Sequence, residues 1–337
     1  MARPSASSTR PGEPSLADWL LLLLLVGLGG SSFALIRAAI DTIPPVAVSV
    51  GRLWIAAAML FIIMRMKNRK WPPLMAGNKP HRLWAWMAAI GAGGYAAPFL
   101  IFPWAQQFVP SGLAGVYMAF MPLWTLGLAY FFADERLTPQ KIAGFALGFA
   151  GVGILVGPEA LNGFAHKGHA PSSLLAEAML LLATLFYAAS AVMARRAPAA
   201  RPRAFSAGIV LMGAVFATPA LLIAGDLNIS EWSAKSIAAV IALGVGPTGL
   251  AGVVIIVLIR RVGASFMALA NYLTPIWAII VGVIAFGERL APSAFIALAV
   301  IFAGVAISQR RGRKVVEAGD ALIEELRPQI RRDQTES

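Results

Sequence analysis

The chain contains no cysteine, which excludes disulfides, thiolate metal sites and cysteine nucleophiles but leaves the compartment of its loops open. Charge is also scarce, at 13% of 337 residues, and only three residues are histidine. No His-Glu-x-x-His and no Gly-x-Ser-x-Gly occurs, so an enzymatic reading has no motif to rest on. His166 and His169 stand three apart, but two histidines without a third ligand do not make a metal site. No metal and no cofactor is expected.

Apolar residues are abundant instead: 58% of the chain, with a mean hydropathy of +0.74. That is far too apolar for a soluble domain of this length and places the chain in a bilayer. Stretches of about the 20 residues that cross a ~30 Å hydrocarbon core as helix recur at 19–37, 45–64, 83–104, 111–132, 139–157, 173–194, 204–224, 236–259, 264–286 and 291–309. The first is interrupted by Gly and Ser and lacks a small-residue cleavage site, so it reads as a helix of the mature protein. The expectation is an all-α integral membrane protein with ten transmembrane helices, numbered 1 to 10 below.

A net charge of +12 raises the question of nucleic acid, and the placement of the basic residues answers it. With a cytoplasmic N-terminus, 23 of the 28 Lys and Arg fall in segments on the inner side, four on the outer side, and Arg52 inside helix 2. This is the positive-inside bias of an inner or plasma membrane protein with both termini in the cytoplasm. The partners it implies are the bilayer and a small solute, with no nucleic acid.

Polar residues repeat as well. Glu135-Arg136-Leu137 with Pro139 recurs 153 residues later as Glu288-Arg289-Leu290 with Pro292. At the same offset Pro122 matches Pro275, Trp124 matches Trp277, and Phe149-Ala150-Gly151-Val152 matches Phe302-Ala303-Gly304-Val305. Shared greasiness does not align Pro, Trp, Glu and Arg, so the chain reads as two five-helix repeats, residues 19–157 and 173–309. Five is odd, which inverts the second copy; inverted repeats are a mark of carriers whose site lies between the halves near mid-bilayer. Residues 1–18 read as a disordered cytoplasmic tail. Residues 310–337 read as a basic cytoplasmic tail, in which Val315 to Leu326 could form an amphipathic surface helix.

These features resemble the EamA family of the drug/metabolite transporter superfamily. The resemblance is carried by the two Glu-Arg-Leu-x-Pro junctions, Arg260-Arg261-Val262-Gly263-Ala264-Ser265, the closing Phe-Ala-Gly-Val runs, Gly29-Gly30-Ser31-Ser32-Phe33 and Gly51-Arg52-Leu53. It implies a ten-helix exporter of amino acids or other small metabolites. Helix 8 departs from the family pattern, with Gly249, Gly252 and small aliphatics at its middle.

A polar side chain inside a membrane helix is costly unless it faces protein or water, so the few present mark an interior pathway. The candidate substrate-binding residues are Ser32, Arg52, Tyr95, Tyr117, Tyr187, Asn271, Tyr272 and Trp277. A central carboxamide such as Asn271 can donate to a carboxylate and accept from an ammonium; its alternative role is to join helix 9 to a neighbour. The tyrosines read as cavity walls or as packing. Arg52 needs a partner, either Asp41 in the outer loop or a substrate carboxylate. Pro122 and Pro275 remove equivalent backbone bonds and read as paired hinges. The spacings Gly144-x-x-x-Gly148 and Gly153-x-x-x-Gly157 allow close helix contact within one protomer, in preference to dimerisation.

No Asp or Glu lies deep in any span, and Glu177 in the first turns of helix 6 comes nearest. Ion-coupled carriers need a buried carboxylate, so the expectation is alternating access, uncoupled or weakly coupled, for neutral or zwitterionic metabolites. The alternatives are efflux of larger hydrophobic or aromatic compounds, and a sensor that binds solute without flux.

Overall fold

The computed structural model describes residues 14–66, 71–76, 79–132, 138–165, 171–198, 200–223, 227–262, 264–267 and 269–308. The Glu135-Arg136-Leu137 signature, His166, His169, residues 1–13 and residues 309–337 lie outside them, and Leu16 to Asp18, expected in the N-terminal tail, instead form the first turn of a helix that Ser15 caps. Each of the ten apolar stretches is helical. Helix 1 is Leu16–Ala39 and helix 2 is Pro45–Met66. Helix 3, Arg82–Ala105, contains a π-helical segment at Ala92–Ala96. Helix 4 runs Ser111–Tyr117, passes through a 3-10 turn at Met118–Phe120 and continues as Met121–Phe132. Helices 5, 6 and 7 are Pro139–Ala165, Pro171–Arg196 and Pro202–Ala217. Helix 8 comprises Ala234–Leu243, a π-helical segment Gly244–Leu250, and Ala251–Val262. Helix 9 is Ala264–Met267 followed by Ala270–Phe286, and helix 10 is Pro292–Ser308.

Among the described residues, seven of these helices are long and apolar enough to cross a membrane, while the stretches Pro139–Leu155 of helix 5, Ala270–Phe286 and Pro292–Ser308 are apolar but shorter. The protein is a multi-pass, all-helical membrane protein. A minimal hairpin, Met75–Ala76 with Lys79–Pro80, lies between helices 2 and 3.

The helix ends follow from local chemistry. Helices 2, 5, 6, 7 and 10 begin at Pro45, Pro139, Pro171, Pro202 and Pro292, where the missing N–H costs nothing and φ is already helical. Helix 1 begins with a capping box in which Ser15 and Asp18 satisfy each other's backbone N–H groups. Asp18 also pairs with Arg261 at 2.8 Å, joining the start of helix 1 to the end of helix 8. Helix 9 ends at Gly287, whose φ of 62° no branched residue adopts cheaply. That left-handed turn swings Glu288 back toward helix 4. Its Oε1 accepts from the Ser111 amide (2.8 Å) and hydroxyl (2.7 Å), and its Oε2 accepts from the Gly112 amide (2.8 Å). The N-cap residue of helix 4 is Pro110, which has no capping side chain, so a carboxylate from 176 residues away caps it.

Helix 1 packs on helices 8 and 9, and helix 6 packs on helices 3 and 4; helix 2 meets helix 8, and helix 7 meets helix 3. Helices 2 and 7 pack together, as do helices 4 and 9. Helices 5 and 10 cross through glycine. A Cβ on Gly144 would strike the Gly304 carbonyl, and one on Gly151 would lie 3.1 Å from the Ala297 carbonyl. The close glycine contacts of helix 5 are thus made inside the protomer, and Gly153 has no neighbour within 4 Å.

Candidate functional site

Prolines within these helices orphan particular carbonyls, and hydroxyls from nearby recover them. Pro103 cannot donate to the Phe99 carbonyl four residues back; the Ser49 hydroxyl of helix 2 donates to it at 2.6 Å, shared with the Pro45 carbonyl at 2.8 Å. Pro247 likewise cannot donate to the Leu243 carbonyl four residues back; the chain there takes up π-helical i→i+5 bonding, and the Thr248 hydroxyl donates to the Leu243 carbonyl at 2.9 Å. Both repairs occur beside a π-helical segment, a feature that often accompanies functional sites because it re-aims side chains. The two segments are 153 residues apart in register, and the offset carries Tyr95 onto Thr248 and Gly91 onto Gly244. Gly91 lets helix 3 touch helix 7, since a Cβ there would lie 2.6 Å from the Ile209 carbonyl. Gly244 lets helix 8 touch helix 2, where a Cβ would lie 2.6 Å from the Ile55 side chain.

Arg52 occupies the space between these segments. It is 5% exposed, and its Nε and one terminal nitrogen both donate to Thr248 Oγ1, at 3.2 and 3.1 Å. The guanidinium carbon stands 4.2 Å from the Phe99 ring centroid, within cation–π range. Phe99 contacts Tyr95 at 5.4 Å and Tyr187 at 6.4 Å between centroids, and Tyr187 reaches Phe102 at 6.1 Å. Three of the candidates, Arg52, Tyr95 and Tyr187, are therefore joined through Phe99 into one polar and aromatic cluster contributed by helices 2, 3, 6 and 8, in which Arg52, Phe99 and Thr248 are buried and the two tyrosines half-buried. Arg52 makes no ion pair with Asp41 or with any other carboxylate among the described residues.

The remaining candidates lie elsewhere. Ser32 donates its hydroxyl to the Gly29 carbonyl of its own helix at 2.6 Å. Trp277 is 40% exposed and its indole N–H donates to Ser31 Oγ at 2.9 Å. Tyr117 is buried in the main apolar core, and Tyr272 packs edge-on against Phe302 at 5.5 Å. Asn271 is exposed near the start of the long segment of helix 9, and no hydrogen bond or ring contact ties it to Arg52 among the described residues. Pro122 is the second residue of the segment Met121–Phe132 that resumes after the 3-10 turn Met118–Phe120, whereas Pro275 lies inside the helix that begins at Ala270.

An apolar cavity of about 470 Å³ is lined in part by Gly51, the chain neighbour of Arg52. Ala47, Val50, Gly51 and Ile55 of helix 2, Val240 and Ile241 of helix 8, and Trp232 of the intervening loop line it.

The family model of the EamA-like transporter family matches residues 17–157 and again residues 174–309. The chain belongs to the EamA-like transporter family. Among relatives of this EamA-like chain is a "Probable terminal-alkyne amino-acid exporter" of Streptantibioticus cattleyicolor, 26% identical over 88% of this chain and 94% of that one. The "Aromatic amino acid exporter YddG" of Ancylobacter novellus is 26% identical over 84% of this chain and 94% of its own length. The "Uncharacterized inner membrane transporter YedA" of Escherichia coli is 26% identical over 85% and 88%. A solved crystal structure matches with a TM-score of 0.60 at 21% identity, covering 88% of this chain and 98% of that one, and so shares the fold. The names are those of transporters rather than enzymes.

Two members of the cluster, Thr248 and Phe99, were not among the candidates. Thr248 carried a signal in Gly246-Pro247-Thr248, where a hydroxyl directly follows a helix-breaking proline. Nothing in the sequence distinguishes Phe99 from seventeen other phenylalanines.

Proposed function

We propose that this protein exports amino acids or related small neutral and zwitterionic metabolites across the inner or plasma membrane, by alternating access between two inverted five-helix repeats of a ten-span chain with both termini in the cytoplasm. The observation that carries this reading is the Arg52, Phe99, Tyr95 and Tyr187 cluster. A buried polar group flanked by aromatic walls, within a transporter family, is what a small amphipathic solute needs. Ser32, Tyr117, Asn271, Tyr272 and Trp277 remain candidates along the same pathway.

Support for two repeats comes from contacts that recur at the 153-residue offset. The pairing of Gly144 with Gly304 maps onto that of Ala297 with Gly151, as a two-fold axis through helices 5 and 10 requires. Support for alternation comes from a pair of contacts that is made once and open once. Trp277 bonds Ser31; its equivalents are Trp124 and Thr184, yet the Trp124 indole N–H has no hydrogen-bond partner among the described residues and Thr184 donates to its own helix at Leu181. Equivalent latches in opposite conditions are expected of one state of a symmetric rocker. Pro122 and Pro275, each two residues before its tryptophan, serve as the proposed hinges.

The test is counterflow of a labelled amino-acid panel into liposomes holding the purified protein, with and without a proton gradient. Selective counterflow indifferent to the gradient is expected; no counterflow for any amino acid would remove the reading. Glu177 is buried, at 2% exposure, so it is the residue to examine for coupling. A steep proton dependence lost in Glu177→Gln would replace uncoupled transport with coupled transport. The 470 Å³ apolar cavity favours a second reading, efflux of larger hydrophobic compounds. Competition by bulky aromatics but not by aliphatic amino acids would select it.

A further inference from the structure

We infer that Arg52 is the receptor for a carboxylate group on the transported solute, and that the solute supplies the negative charge that no carboxylate among the described residues brings to it. This deepens the proposed function and rests on it. The argument begins with cost: a guanidinium inside a membrane helix is expensive and is normally offset by a protein carboxylate or by water. Here the residue is 95% buried, and its described neighbours are a hydroxyl and aromatic rings. Both bonds to protein end on a single atom, Thr248 Oγ1. A guanidinium has five N–H donors, and among the described residues only its Nε and one terminal nitrogen are engaged.

The two bonds it does make fix its direction. Thr248 is held by its own bond to the Leu243 carbonyl, and the Phe99 ring supports the guanidinium at 4.2 Å. Phe99 is fixed in turn, because its carbonyl accepts from Ser49. A cation with a rigid backing, a polarising hydroxyl and unused donors suits a bidentate carboxylate. Tyr95 and Tyr187, whose rings contact Phe99, would frame the rest of the solute. The matching position in the other half, four residues out of the common offset in helices 2 and 7, is Ile209: Gly91 meets the Ile209 carbonyl as Gly244 meets the Arg52 carbonyl. The charge is therefore present once, so a single solute with a single carboxylate is accommodated.

The experiment uses the full-length protein in liposomes. Counterflow of labelled leucine and phenylalanine is challenged with each amino acid, its methyl ester, its carboxamide and the corresponding decarboxylated amine. Wild type is expected to be inhibited by the acids at concentrations roughly 10- to 100-fold lower than by the carboxylate-free analogues, the range that one charge-assisted hydrogen-bonding group supplies. Arg52→Gln is expected to abolish that ratio, and Arg52→Lys, which keeps the charge but loses the fork, to restore part of it. Thermal unfolding of the detergent-purified proteins gives a second readout: acids should stabilise wild type and not Arg52→Gln, and amines should stabilise neither. Equal inhibition by acids, esters and amines in wild type overturns the inference whether or not the variants fold, while leaving transport intact. Undiminished discrimination in a folded Arg52→Gln also overturns it. Stabilisation by acids that depends on Arg52, without flux of any solute, upholds the site and removes the transport reading.

Discussion

Glu288 offers the cleanest single perturbation, because one carboxylate makes all three bonds that close the first turn of helix 4 against the corner after helix 9. Glu288→Ala deletes those bonds and leaves the Ser111 and Gly112 amides, both buried, without an acceptor. A hydrogen bond to a charged group contributes about 1.5–3 kcal/mol, and a lost N-cap costs about 0.5–2 kcal/mol. The three bonds share one side chain and do not add, so local opening of this turn should become easier by about 2–3 kcal/mol. That corresponds to roughly 30- to 150-fold faster amide exchange. Glu288→Gln keeps one acceptor oxygen but turns an N–H toward Gly112, and should fall between, at about five- to ten-fold. Hydrogen exchange read by mass spectrometry on a peptide covering residues 107–117 measures both, with a helix 2 peptide as the internal control. Unchanged protection in Glu288→Ala would refute the cap, and a uniform increase in every helix would show general loosening in place of a local latch.

Ser49→Ala should destabilise the protein by about 1–3 kcal/mol by stranding the Phe99 carbonyl. In a Pro103→Ala background, whose restored N–H can reach that carbonyl, the cost should largely vanish; a double-mutant cycle of unfolding midpoints with no coupling would contradict this. At the crossing of helices 5 and 10, Gly304→Val should lower stability by at least about 2 kcal/mol because its Cβ meets the Gly144 carbonyl at 2.6 Å. Gly153→Ala, with nothing within 4 Å, should be neutral in the same melting assay. Trp277→Phe should cost about 1 kcal/mol through loss of the bond to Ser31. The Trp124 indole N–H has no hydrogen-bond partner among the described residues, so Trp124→Phe should leave the unfolding midpoint unchanged, and equal losses in both would show that the two tryptophans are not in different conditions.

The sequence alone determined where helices occur. Bilayer thickness sets the length of each apolar stretch and prolines mark five of the starts, so every expected span contains a helix and most ends differ by a few residues, although helix 5 runs eight residues past its expected end and helix 7 gives way to a 3-10 turn after Ala217. Local chemistry likewise announced the prolines that strand a carbonyl. What the sequence could not determine was partnership. Arg52 required a neighbour, and Asp41, near in sequence, was one of two readings; its hydrogen-bond partner is Thr248, 196 residues away. Ser32 and Asn271 drew attention as polar residues in apolar helices, but helical periodicity cannot say whether a hydroxyl turns back on its own carbonyl, as that of Ser32 does, or which side of helix 9 is covered. Glu288 read as half of a repeated signature, and only the left-handed turn at Gly287 makes it the cap of helix 4. Hydropathy reports which residues leave water, through one-dimensional runs of the chain. The site depends on which π-helical segment faces which helix, and that follows from close packing of glycine-lined surfaces in three dimensions.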